Sequence, residues 1–201
     1  MKSVVVYIHG KCGSIEEANH FKQFFDEKFK IIGFDYKSEK PWDAKIELRK
    51  FFNSLIAKYN EIYLIANSIG AYFSLISLSD MPIKKAMFIS PIVDMEKIIL
   101  NMMKSENITE DELKLKKEIE TSFGESLSWQ YLNYIRKISI NWNIPTNILF
   151  ADNDNMTSVD NMINFANNIN ANLTIMRNGE HWFHTEEQIN FLDNWFKESF
   201  I

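Results

Sequence analysis

The chain has 201 residues, enough for one domain with room for an insertion. Its 22 Lys+Arg against 27 Asp+Glu leave a net charge of −5, which excludes a dominant basic field for nucleic acid, and 46% hydrophobic residues exclude global disorder. No apolar run approaches the roughly 20 residues that span a bilayer, and Cys12, the single cysteine, leaves no intrachain disulfide or multi-cysteine zinc site.

The first predicted strand covers residues 4–8, directly after Met1-Lys2-Ser3. That N-terminus does not read as a secretory leader, so a cytoplasmic location is expected. Residues 15–28 carry Ala18, Phe21, Phe24 and Phe25 at helical spacing and lead into a strand at 29–35. Pro41 suits the first turn of a helix over 42–59, whose apolar side repeats Ile46, Leu48, Phe51, Phe52, Leu55 and Ile56. A strand at 62–66 then meets a helix at 68–78, and a further strand follows at 86–90. After a long intervening segment come a strand at 147–151, a helix at 159–169, a strand at 173–176 and a helix at 186–200. The strands are nearly continuous in apolar residues, as strands buried on both faces are. Their alternation with helices predicts right-handed crossovers and a parallel sheet.

The segment between Pro91 and Pro145 breaks this rhythm with about fifty residues of helical character and no good strand, far more than a crossover needs. It reads as a helical cap, residues 92–143, within a single domain of residues 1–201. Met95, Ile98, Ile99, Met102 and Met103 recur at helical spacing and are expected to face inward, while the charged stretch 106–120 faces water.

Chemistry concentrates in the turns after the strands. Ala66-Asn67-Ser68-Ile69-Gly70 puts a serine between a buried strand and a helix, with small residues two before and two after it. Such a turn projects the hydroxyl outward, although a serine there also serves as a helix cap. A serine nucleophile needs a base, and the chain has four histidines: His9, His20, His181 and His184. His181 follows the turn at Gly179 after the last predicted strand, and His184 lies at the start of the last helix. After strand 147–151 comes Ala151-Asp152-Asn153-Asp154, and after the first strand comes His9-Gly10-Lys11-Cys12-Gly13. The alternating aspartates lack the glycine and distant glutamate of a calcium loop. The glycine turn matches neither G-x-G-x-x-G nor G-x-x-x-x-G-K-[ST], so a phosphate cradle is the weaker reading.

The serine turn resembles the nucleophile elbow G-x-S-x-G of the α/β-hydrolase family, with Ala66 in place of the first glycine. The resemblance covers nearly the whole chain except residues 92–143, and four of the six glycines (Gly10, Gly13, Gly70, Gly179) fall in its three loops. It implies an α/β-hydrolase fold of about six parallel strands, order 2-1-3-4-5-6, under a small cap. It further implies Ser68 as nucleophile and His181 as base. Aligning Ala151 with the family's loop glycine makes Asp154 the acid, with Asp152 left to bond local backbone amides. Backbone N–H groups of Lys11 and Ile69 would form the oxyanion hole, with Cys12 the alternative to Lys11. The implied activity is serine hydrolysis of a small-molecule ester of a small or medium acyl group, with no metal or organic cofactor, and the charge and hydropathy above add the expectation of no nucleic-acid partner and no membrane span. Amide, thioester or peptide cleavage, or a binding module that keeps the fold, are the alternatives on the same scaffold. Cys12 as nucleophile lacks an adjacent base.

Overall fold

A computed structural model of the chain describes residues 3–200. Its centre is a six-stranded sheet in which every pairing is parallel. The strands are β1 (Ser3–Ile8), β2 (Phe29–Phe34), β3 (Ile62–Asn67), β4 (Ile83–Ile89), β7 (Thr146–Ala151) and β8 (Asn172–Met176). Their spatial order is β2-β1-β3-β4-β7-β8, the order expected from the sequence once the two cap strands introduced below are set aside.

Side-chain alternation along these strands builds two cores. Val4, Val6, Ile8, Leu64, Phe88 and Phe150 face one cluster, and Val5, Tyr7, Ile65, Met87 and Leu149 face the other. On the first face lie α2 (Pro41–Ile56), α3 (Ile69–Ser77) and α7 (Val159–Asn168), with Leu48, Phe52, Phe73 and Met162 as buried anchors. On the second lie α1 (Ala18–Phe21) and α8 (Glu186–Phe200), whose Phe21 and Phe196 rings sit 5.1 Å apart. Burial on both faces is why the strand sequences show little alternation.

Two expectations need correction. The helix expected over 15–28 is a broken succession, a 3₁₀ turn at Ile15–Glu17, α1, and a second 3₁₀ turn at Lys22–Phe24. The segment is pressed onto β2, where a Cβ on Gly33 would lie 2.8 Å from the Cα of Ile15, so close packing overrides regular helix geometry. The cap also contains strands. It comprises α4 (Met95–Ser105), α5 (Glu110–Lys116), an antiparallel hairpin of β5 (Glu118–Glu120) and β6 (Ser126–Ser128), and α6 (Trp129–Ile135). Three-residue strands are too short to show a period of two. Their turn is held by Thr121, whose N–H donates to the Glu125 carbonyl at 2.8 Å while Gly124 takes φ 82°. Arg136 forks onto Glu110 with two bonds of 2.7 Å and reaches Glu96 at 2.6 Å, tying the end of α6 to α4 and α5. Of the cap's apolar row, Met95, Ile98, Ile99 and Met103 are buried and Met102 is half-buried.

The first-face core makes a direct prediction. Phe52 is fully buried on α2, and Phe52→Ala should lower unfolding free energy by about 3–5 kcal/mol through lost burial plus the cavity left behind. Urea denaturation followed by circular dichroism measures this, with the slope of the transition unchanged.

Candidate active site

All the loops singled out in the sequence leave the C-terminal edge of the sheet. Ser68 stands between β3 and α3 with φ 51° and ψ −119°, a strained conformation for a residue with a Cβ. Its N–H donates to the Ile89 carbonyl at 3.0 Å, at the end of β4. Its own carbonyl accepts from Ala71 at 3.1 Å and from Ile92, the first cap residue, at 3.2 Å. The small neighbours have a physical reason. A Cβ on Gly70 would lie 2.8 Å from the Ile8 carbonyl oxygen, so a larger residue would drive α3 away from β1. Gly10 lies so near that a Cβ there would come 3.2 Å from Ser68 Cβ, which puts residues 10–13 beside the serine.

The Ser68 hydroxyl lies 2.8 Å from His181 Nε2, and His181 Nδ1 lies 2.5 Å from Asp154 Oδ2. The carboxylate accepts from Nδ1–H, which leaves the Nε2 lone pair to receive the serine O–H. The Asp154 side chain is fully buried, and His181 keeps 21% of its side-chain surface exposed. Asp154 Oδ1 accepts from the backbone N–H of Met156 at 2.6 Å and of Thr157 at 3.0 Å, so the buried charge is satisfied on both oxygens.

The other candidates sit elsewhere. His184 stacks on Trp182 at 4.9 Å and its Nδ1 donates to the Trp182 carbonyl at 2.7 Å, away from Ser68. His9 is buried, stacks on Tyr36 at 4.5 Å, and places Nδ1 2.8 Å from the Gly10 carbonyl. His20 pairs with Asp193 of α8 at 2.7 Å. Asp152 bonds a backbone amide, but not a local one: Oδ1 accepts from Asn178 N–H at 2.6 Å, joining the loop of Asp154 to the loop of His181. Lys11 is exposed and its ammonium pairs with Glu125 at the hairpin turn of the cap. Cys12 is exposed with φ 58°. Among the described residues no group of three or more His, Cys, Asp or Glu side chains is placed to hold a metal ion, and no helix is long and apolar enough to cross a membrane.

Sequence reasoning passed over the supports of the first loop. Tyr36 donates from its hydroxyl to the His9 carbonyl at 3.0 Å, and burial pushes its phenol pKa up. Glu17 accepts the Tyr7 hydroxyl and, at 3.1 Å, the Ser14 N–H. The Ser14-x-x-Glu17 spacing, a capping-box pattern, was the available signal.

No family model and no curated protein matches the sequence. Solved structures do resemble the chain. Est1E from Butyrivibrio proteoclasticus superposes with a TM-score of 0.80 at 16% identity, covering 98% of this chain and 86% of its own. The same protein with ferulic acid bound gives 0.77 at 15% identity, with 98% and 87% covered. Alpha/beta hydrolase domain-containing protein 10 from mouse gives 0.72 at 14% identity, covering 97% of this chain and 88% of its own. With the observed strand order, these likenesses establish the α/β-hydrolase fold.

The backbone of Ser68 supplies a prediction separate from chemistry. Ser68→Ala and Ser68→Gly both remove the hydroxyl, but only glycine relieves the positive φ. Ser68→Gly should therefore melt about 2–4 °C above Ser68→Ala, the shift expected for roughly 1 kcal/mol in a domain of this size. Scanning calorimetry on the two variants checks it.

Proposed function

We propose that the protein is a serine hydrolase that cleaves carboxylic esters of small or medium acyl groups through an acyl-enzyme. The observation that carries this reading is the continuous bond path from the Ser68 hydroxyl through His181 to the buried Asp154 carboxylate. Ser68 Oγ attacks the ester carbonyl carbon while His181 Nε2 takes its proton. The imidazolium that forms is stabilised by Asp154 and returns the proton to the leaving alcohol. Water, deprotonated by the same imidazole, then adds to the acyl carbon, and the acyl–Ser68 bond breaks as the imidazolium returns that proton to Ser68 Oγ, releasing the acid. The backbone N–H groups of Lys11 and Ile69 would receive the negative charge that develops on the carbonyl oxygen, the step at which fixed donors count most. Similar structures described as esterases, the esterase domain of a Rhodothermus marinus protein and an esterase of Pyrococcus furiosus among them, support an ester over other acyl compounds.

A fluorophosphonate probe should label the wild type and leave Ser68→Ala unlabelled. Ser68→Ala, His181→Ala and Asp154→Ala should each lower kcat on p-nitrophenyl esters by about 10³-fold or more, with double variants little worse than single ones. Absence of labelling would favour a binding module, and retained activity in His181→Ala would move the base elsewhere.

Acidification has a defined sign. Protonated His181 cannot accept the Ser68 proton, so kcat/KM should fall on the acid side and recover on return to neutral pH. A flat acid limb with acylation rate-limiting would exclude an imidazole base.

A further inference from the structure

An oxyanion donor works only if its N–H is held to within about half an ångström. Residues 10–13 are poor at holding themselves. Their own backbone closure is the Gly13 N–H to Gly10 carbonyl bond of 3.2 Å, and Cys12 sits at φ 58°, which persists only where neighbours impose it.

The neighbour that does so is Glu17. One carboxylate oxygen accepts the Ser14 N–H at the end of the loop, and the other accepts the hydroxyl of Tyr7, on β1 just before the loop. The Cα of Gly13 is laid against the same carboxylate, where a Cβ would come 2.7 Å from Oε1. Tyr7 is buried, and burial first and Glu17 second push its phenol pKa well up, so the hydroxyl stays a donor. The Asn67 side chain partly offsets this, lowering the phenol pKa, and Asn67 is the residue before Ser68. A Cβ on Gly10 would lie 3.8 Å from Asn67 Cγ, so the same asparagine also flanks the loop's first glycine. The Glu17 carboxylate thus joins the buried phenol at the end of β1 to the amide at the far end of the loop.

We infer that Glu17 is a positioning residue, which through Tyr7 and Ser14 sets the loop of residues 10–14 at the distance from Ser68 that oxyanion stabilisation requires. The inference rests on the serine-hydrolase reading. The bonds of the Glu17 carboxylate go to Tyr7 and Ser14 and not to Ser68, His181 or Asp154. Its removal should therefore weaken transition-state binding and leave ground-state binding nearly intact.

The test uses Glu17→Ala, the milder Glu17→Gln, and Tyr7→Phe in the full chain. Glutamine keeps one acceptor but sets an NH₂ against the second donor, so it should fall between wild type and alanine. On p-nitrophenyl acetate, Glu17→Ala should lose about 10- to 100-fold in kcat with KM within about threefold, less than loss of a whole oxyanion donor. Inhibition by an alkyl boronic acid, which takes up the tetrahedral geometry on Ser68, should weaken by a similar factor. Hydrogen–deuterium exchange over residues 10–14 should rise about tenfold or more in Glu17→Ala and less in Glu17→Gln, without change in the strands. Exchange needs no turnover, so it reads the loop even if the ester reading fails, and that failure shows separately as a wild type that fluorophosphonate does not label. Unchanged loop exchange overturns the inference. So does a kcat within twofold of wild type in both Glu17 variants, or a rise in KM at constant kcat. If Glu17→Ala does not fold, Glu17→Gln and Tyr7→Phe decide by the same measures.

Discussion

Ser68 holds a backbone conformation that costs a non-glycine residue about 1–3 kcal/mol, and much of the surrounding structure can be understood as what keeps it there. Its N–H is fixed by the end of β4, and its carbonyl both opens α3 and receives the first amide of the cap. The helix that follows can approach β1 only because residue 70 has no side chain. Strand, helix and cap entry therefore meet at one residue. The hydroxyl is presented outward as a consequence of this strain, since a relaxed serine capping α3 would turn its oxygen back to the helix amides; no such cap bond is made.

The loops of His181 and Asp154 are fixed to each other before any ligand arrives. Asp152 N–H bonds the Met176 carbonyl at 3.1 Å, Asn153 N–H bonds the Gly179 carbonyl at 3.0 Å, and Asp152 Oδ1 receives Asn178 N–H. These bonds continue the β7–β8 pairing past the end of the sheet, so the imidazole and its carboxylate inherit the rigidity of two adjacent strands. Two backbone amides on the other Asp154 oxygen keep the charge satisfied where the carboxylate itself has no exposed surface.

Much of this was legible in the chain itself. Serine, aspartate and histidine each follow a strand that is nearly continuous in apolar residues, and turns after buried strands all emerge at one edge of a parallel sheet. Lys84 and Lys85 hid the first half of β4, because their ammonium groups escape the strand: Lys84 pairs with Glu61 at the surface and Lys85 reaches the Ser199 carbonyl. The hairpin of the cap was hidden by its length. The second partner of Glu17 was hidden for another reason. The capping spacing to Ser14 is local and readable, whereas Tyr7 lies inside an apolar strand, where its ring is the evident reason for its presence. Contacts that join distant elements leave no periodic trace.

The loop of residues 10–14 is held from two sides, and the magnitudes differ. From the cap side, Lys11 pairs with Glu125, but both groups are well exposed, at 59% and 37% of their side-chain surface, and such pairs are worth about 0–1 kcal/mol and weaken with salt. From the sheet side, Glu17 makes a charge-assisted bond to a buried phenol, a kind typically worth about 1.5–3 kcal/mol, and a second, more exposed bond to the Ser14 amide. The rest position of the loop is accordingly set by the sheet, through Tyr7 and β1. The cap adds a weaker tie to the side chain of Lys11, whose own backbone N–H is the proposed donor. That ordering leaves the hairpin able to part from Lys11 at small cost while the loop stays fixed against Glu17.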